Sequence, residues 1–262
     1  MQAHRARKGM TTVNPRWAPA LLLGALVLSA TASTSVLAQT SAVDPAATKI
    51  LKRMTDYLGG LQAFSVHTQN TIEDLLAPRV RVDLDTSATV TIKRPNKLHT
   101  IRKGDLVSQE FFYNGKTLTL YDPAQNVYAT EPVAPTFVDA IEYARNTLGL
   151  VVPASDLVYP NAYELLMDGV TMAQVIGKSM INGVGCNHVL FVRPGVQFQV
   201  WVADGERPLP YKYVVTDTST PALLSVSTVM SDWKTAPKVS DAMFNFVPPK
   251  GAQSIAFMHL AP

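Results

Sequence analysis

Residue types able to do acid–base, nucleophilic or metal chemistry are sparse in this chain, and their spacing assembles no centre. Past the first forty residues the histidines are His67, His99, His188 and His259, none at ligand spacing with another histidine, cysteine or carboxylate. Each reads as a surface or sheet histidine, so no metal is implied. Cys186 has only His188 near it and no resolving partner; it reads as a small buried apolar residue, with a reactive thiol as the alternative. Gly177-Lys178-Ser179 ends like a phosphate loop, but Met172 and Ala173 stand where the first glycine belongs. Ser231-Asp232-Trp233-Lys234 has the serine-to-lysine spacing of acyl enzymes without their companion motifs. Asp83 and Asp85 lie two apart beside Arg79 and Arg81, which a solvated ladder of charges on one strand face explains. No catalytic residue and no cofactor is assigned, and the chain is read as a non-enzyme.

Composition narrows the class further. The 262 residues are 47% apolar and 16% charged, with Lys+Arg 23 against Asp+Glu 20. That is too apolar for disorder and too weakly basic for a nucleic-acid binder. Arg5, Arg7, Lys8 and Arg16 with no acid precede the apolar run Ala18–Ala30, and Val36-Leu37-Ala38 carries small or apolar residues before Gln39. This reads as a secretory signal peptide over 1–38, cut after Ala38. Pro19 and Gly24 interrupt the apolar run, which is too short for a permanent membrane anchor. A single domain over 39–262 is expected, stabilised by core burial because one cysteine cannot form an internal disulfide.

The elements must then supply the function. Ala46, Ile50, Leu51, Met54 and Leu58 recur at helical spacing between Asp44-Pro45 and Gly59-Gly60, predicting a helix with one apolar face over Ala46–Leu58. From Arg79 to Lys93 even positions are largely apolar (Val80, Val82, Leu84, Ala88, Val90, Ile92), predicting a long twisted strand with one wet face. Asn114-Gly115 predicts a tight hairpin pairing Phe111 with Leu118 and Gln109 with Leu120; Asn182-Gly183 and Pro194-Gly195 predict two more. The strands number about eleven. Thr136 and Asp139 open a helix ending at Gly149, and a short helix runs from about Asn161 to Met167. Large apolar side chains over 135–169 have no strand partner, so these inserted helices are expected to cover the concave face of the sheet. The stretch after Phe246-Val247-Pro248-Pro249 reads as either an edge segment or a loosely held tail.

Lys93-Arg94-Pro95-Asn96-Lys97 and Phe112 to Pro123 (FYNGKTLTLYDP) resemble segments of the LolA-like periplasmic lipoprotein carriers. So do Val200-Trp201-Val202-Ala203-Asp204, Leu209-Pro210-Tyr211-Lys212 and Phe244 to Gly251 (FNFVPPKG), the likeness being strongest to a family of predicted periplasmic proteins. The resemblance implies an α+β fold: an unclosed antiparallel half-barrel, helices in its mouth, and an apolar cavity for acyl chains. It also implies a lid closed by an arginine, a role open to Arg79, Arg81 or Arg94.

Burying a sixteen-carbon chain gains roughly 12 kcal/mol at about 0.8 per CH₂, against about 4–15 kcal/mol for association, so binding needs no polar group. Strand parity and the inserted helices nominate Val80, Val82, Leu84, Phe111, Leu118, Phe137, Ile141, Leu165, Leu166, Phe198 and Val200 as lining. The expected protein is a periplasmic carrier of a hydrophobic small molecule, lipid or lipoprotein acyl chain. An envelope sensor or scaffold binding protein partners is the alternative.

Overall fold

The structure, a computed structural model, describes residues 42–105 and 107–259. The leader and its cleavage position lie outside the described residues. Helix α1 (Pro45–Gly60) begins where Asp44 accepts the Ala46 N–H at 2.8 Å, with proline in its first turn. Its apolar stripe, Ala47, Leu51, Met54 and Leu58, is fully buried. The helix exceeds the predicted bounds by one residue at the start and two at the end.

Twelve strands follow: β1 (Ala63–Ala77), β2 (Val80–Lys93), β3 (Lys97–Gly104), β4 (Ser108–Tyr113), β5 (Thr117–Asp122), β6 (Val127–Pro132), β7 (Met172–Ile181), β8 (Val184–Arg193), β9 (Val196–Ala203), β10 (Pro210–Asp217), β11 (Ser225–Lys234) and β12 (Gln253–Ser254). Between β6 and β7 lie α2 (Phe137–Asn146), a 3-10 turn (Ser155–Val158) and α3 (Ala162–Met167). The strands form one curled, unclosed sheet in the order β12-β6-β5-β4-β3-β2-β1-β11-β10-β9-β8-β7. Two meanders, β1–β6 and β7–β11, therefore meet at a single seam where β1 pairs antiparallel with β11.

The expected fold class holds, and the details separate. Asn182 (φ 48°) and Gly183 (φ 77°) form the predicted tight turn between β7 and β8, and Ile181 stands opposite Val184. The first hairpin is shifted by two residues: Phe111 pairs with Leu120 and Tyr113 with Leu118. Its turn centres on Gly115 and Lys116, because the Asn114 side chain accepts the N–H groups of Lys116 and Thr117, both at 3.0 Å, and so sits just before the turn. Gly115 has φ 89°, a conformation glycine adopts without strain. Parity survives the shift, so the inward residues are unchanged. The segment after Phe246 is an edge segment: β12 pairs parallel with β6, and Phe246 packs against Phe112, Tyr121 and Tyr128.

Candidate ligand-binding site

The register of β1–β5 fixes the inner face row by row. The first row carries Phe64, Ile92, Leu98, Tyr113 and Leu118; the second carries Val66, Val90, Thr100, Phe111 and Leu120. The third reads Met230, Thr68, Ala88, Arg102 and Gln109, and the fourth includes Thr228, Asn70 and Thr86. The inner face thus changes along the strands from apolar to polar. Asn70 closes the polar end on itself: its amide nitrogen lies 3.2 Å from Thr68 Oγ1, and its Oδ1 accepts from Thr228 Oγ1 at 2.9 Å.

Above these rows stands a roof made of α2 and residues 147–158. Thr136 caps α2 by accepting the Asp139 N–H at 3.1 Å, and Phe137, Ala140, Ile141 and Ala144 point down. Four long side chains from the sheet hold the roof. Tyr113 Oη shares its proton between the carbonyls of Ala134 and Thr136, both at 3.1 Å. Tyr213 Oη donates to Asp156 Oδ2 at 2.9 Å, Arg94 Nη2 to Val158 O at 3.1 Å, and Arg102 Nη1 to Val151 O at 3.0 Å. Arg94 also donates to the carbonyls of Leu61 and Leu58 at the end of α1, joining that helix to the roof. Of the three arginines left open for a lid role, Arg94 alone reaches the roof. Arg81 lies on the carbonyl of Ala222, and Arg79 is exposed with φ 67° at the hairpin tip.

Burial governs the titration of these pins. It pushes the Tyr113 phenol up to about 12, helped by the charge of Asp139. Burial and Asp156 raise Tyr213 well above the ordinary tyrosine range. Desolvation alone lowers the guanidinium groups of Arg94 and Arg102.

Under the roof lies a void of about 130 Å³, partly open to solvent. Among the nominated residues, Phe111, Phe137 and Ile141 line it. Leu118 is buried beside Ala144 and Leu148 under α2. Leu166, Phe198 and Val200 are buried in the main core with α1, and Leu165 is 38% exposed on α3. Val80, Val82 and Leu84 share the inward parity of β2 but stand past Thr86, away from the roof. The lining also includes residues not nominated for it: Thr68, Asn70, Thr100, Arg102, Gln109, Trp233 and, from the apolar interval between the helices, residues 150–155, 157 and 158. Strict alternation along β3 was the available signal for Arg102, since Leu98, Thr100 and Arg102 share one face.

Among the described residues the histidines lie off the lining of the void. His188 stacks on Trp201 with centroids 4.0 Å apart, His99 stands 3.6 Å from Glu110, and His259 contacts Glu131 at 2.8 Å. Cys186 is fully buried, and burial raises its thiol. Among the described residues no helix is long and apolar enough to cross a membrane.

A family described as predicted periplasmic protein (DUF2092) matches residues 47–258. No curated protein matches the chain. Solved structures similar to it include LprF from Mycobacterium bovis, at 17% identity and TM-score 0.49, covering 80% of this chain and 99% of that one. An uncharacterized conserved protein from Thermus thermophilus has 12% identity and TM-score 0.48, with coverages of 80% and 99%. The LolA superfamily protein NE2245 from Nitrosomonas europaea has 13% identity and TM-score 0.37, with coverages of 76% and 97%.

Proposed function

The chain belongs to the DUF2092 family of predicted periplasmic proteins, and from that premise we propose that it is a periplasmic carrier or binding protein for a hydrophobic ligand. Its cargo is the acyl chain of a lipid or of a lipid-modified protein. The proposal includes export by the leader 1–38 with cleavage after Ala38. The observation that carries it is the void between the apolar rows of β1–β5 and the roof.

Its size constrains the mechanism. At about 130 Å³ the enclosed part is well below the roughly 300–1,000 Å³ of ligand pockets. It therefore accepts only the end of an acyl chain, and a full chain enters as the roof rises. The roof is held to the sheet by hydrogen bonds from Tyr113, Tyr213, Arg94 and Arg102 together with the buried side chains of Phe137, Ile141 and Leu157. Each such bond exchanges for one to water at a net cost of about 0.5–1.5 kcal/mol. The apolar gain on burying a chain of a dozen or more carbons, about 0.8 kcal/mol per CH₂, offsets those exchanges.

Native mass spectrometry of protein isolated from the periplasm without detergent tests the reading. The expected result is a bound species of lipid mass, together with uptake of the neutral dye N-phenylnaphthylamine by lipid-stripped protein. A bare chain that also refuses the dye overturns it. One observation favours the scaffold alternative: edge strand β7 exposes Met172, Val175, Ile176 and Met180. Recovery of a defined envelope protein paired along that edge, with an empty void, supports the alternative.

A further inference from the structure

Arg102 is the sole charged residue on the lining of the void, and no carboxylate lies among its partners in the described residues. Its Nη1 donates to the carbonyl of Val151 at 3.0 Å and its Nη2 to Gln109 Oε1 at 2.7 Å, both neutral acceptors. A guanidinium carries five N–H donors, so donors remain beyond these two bonds. Burial disfavours the charge, and both of its bonds go to neutral oxygens. A half-buried arginine without an acid is costly unless an anion completes it.

Its position adds a direction. Arg102 stands in the third row, one step beyond Thr100 and Phe111, where the inner face turns from apolar to polar. The neighbouring polar groups are already engaged with one another: Asn70 binds Thr68 and Thr228, and Gln109 binds Arg102. The arginine is the charged group of the lining, and it has donors left to meet a ligand's polar end. A chain lying with its tail among Phe64, Ile92 and Leu98 would bring its head to this row.

Resting on the carrier reading, we propose that the ligand is an anionic amphiphile whose carboxylate or phosphate head is held by Arg102 while its chain occupies the apolar rows. The planar guanidinium fork matches both oxyanions. Bringing such a head to the remaining donors of Arg102 places an anion next to the carbonyl oxygen of Val151, and the repulsion between the two weakens the roof's hold there. Ligand binding and loosening of the roof at Val151 are coupled through this one side chain.

Displacement of N-phenylnaphthylamine from the full mature protein by matched twelve-carbon amphiphiles tests this. Dodecanoate and dodecyl phosphate should compete about tenfold more strongly than dodecanol, as a charge-assisted pair implies. Acetate and inorganic phosphate should not compete, since the chain supplies most of the binding. R102Q should reduce the ratio to about one, whatever change the loosened roof makes to the strength of dodecanol itself, and R102K should restore part of the preference. A purely structural role for Arg102 would lower the melting temperature without changing the ratio.

Equal competition by dodecanoate and dodecanol on the unsubstituted protein overturns the head-group assignment while leaving a neutral-lipid carrier standing. So does a ratio that persists in R102Q. Failure of every amphiphile to displace the dye, or of the dye to bind, overturns the carrier reading and this assignment together. The comparison on the unsubstituted protein decides the matter even if R102Q does not fold.

Discussion

The two halves of the trough have strands of the same alternating character and opposite interiors. Under α1 the β7–β10 side is solid: Ala173, Val189, Phe191, Phe198 and Val200 are buried against Ala47, Leu51, Met54 and Leu58. Under α2 and residues 147–158, the β1–β5 side keeps a void. The difference lies in what covers each half. A sixteen-residue helix with a continuous apolar stripe can fill a groove to interior density. A ten-residue helix followed by a run through Pro153 and a 3-10 turn packs through Phe137, Ile141 and Leu157 yet leaves part of the groove unfilled, and polar pins add to its hold. Strand parity therefore sets which face is apolar, while the covering element decides whether that face becomes core or cavity.

The largest expected effect is in the solid half. Leu51→Ala should cost about 2–5 kcal/mol in urea unfolding, because a fully buried leucine leaves a cavity that its neighbours fill poorly. Phe111→Ala, on the half-buried lining of the void, should cost less than half as much while changing dye uptake. A reversal of that order would break the comparison.

Filling sharpens it. Ala47→Leu beneath α1 should destabilise by about 1–3 kcal/mol through overpacking. Ala88→Leu, which projects into the void, should stay within about 1 kcal/mol and exclude part of the dye. Equal penalties at both sites would mean the hollow half is as rigid as the solid one.

Tyr213→Phe removes the pin on Asp156 and should cost about 1–2 kcal/mol, with faster dye exchange measured by stopped flow. Alkaline titration probes the same pins together. Tyr113 and Tyr213 have folded-state values above the ordinary 10, so their contribution is complete below about pH 10. The share from Tyr113 is lost as pH rises from there through about 12. Phenolate absorbance should therefore lag for these residues, and Tyr113→Phe should flatten the fall in stability over that window.

The smallest effect is at a cluster on the opposite face of the sheet from the void. Lys93 and Lys97, at 2.7 and 2.8 Å, hold the Asp241 carboxyl down to about 2. Its contribution is present above the unfolded value of 3.8 and disappears as pH falls toward 2. Asp241→Asn should remove that acid-limb dependence in thermal melts and leave dye uptake unchanged.

The sequence made these contrasts legible to different degrees. Period and punctuation were enough for α1 and for the Asn182-Gly183 turn, because local chemistry determines both. Strand β1 was passed over because Thr68 and Asn70 occupy inward positions and interrupt its apolar alternation, and only their mutual hydrogen bonding explains why they are inside. The hairpin at Asn114 was misregistered by two because its side chain caps the turn from outside, a choice the dipeptide alone does not encode. The void was less legible still. Val82 and Leu84 share a face with Ile92, yet only the position of the roof separates them from the lining.

The seam between β1 and β11 has a consequence for assembly. Residues of β1 (Ala63–Ala77) find their second neighbour only in β11 (Ser225–Lys234), so nearly the whole polypeptide must be present before the two meanders can join. Until then each meander has a bare edge, the kind of surface that recruits stray strands. Completion waits on the far end of the molecule, and a chain halted before Ser225 would persist as two unjoined ribbons in need of a chaperone.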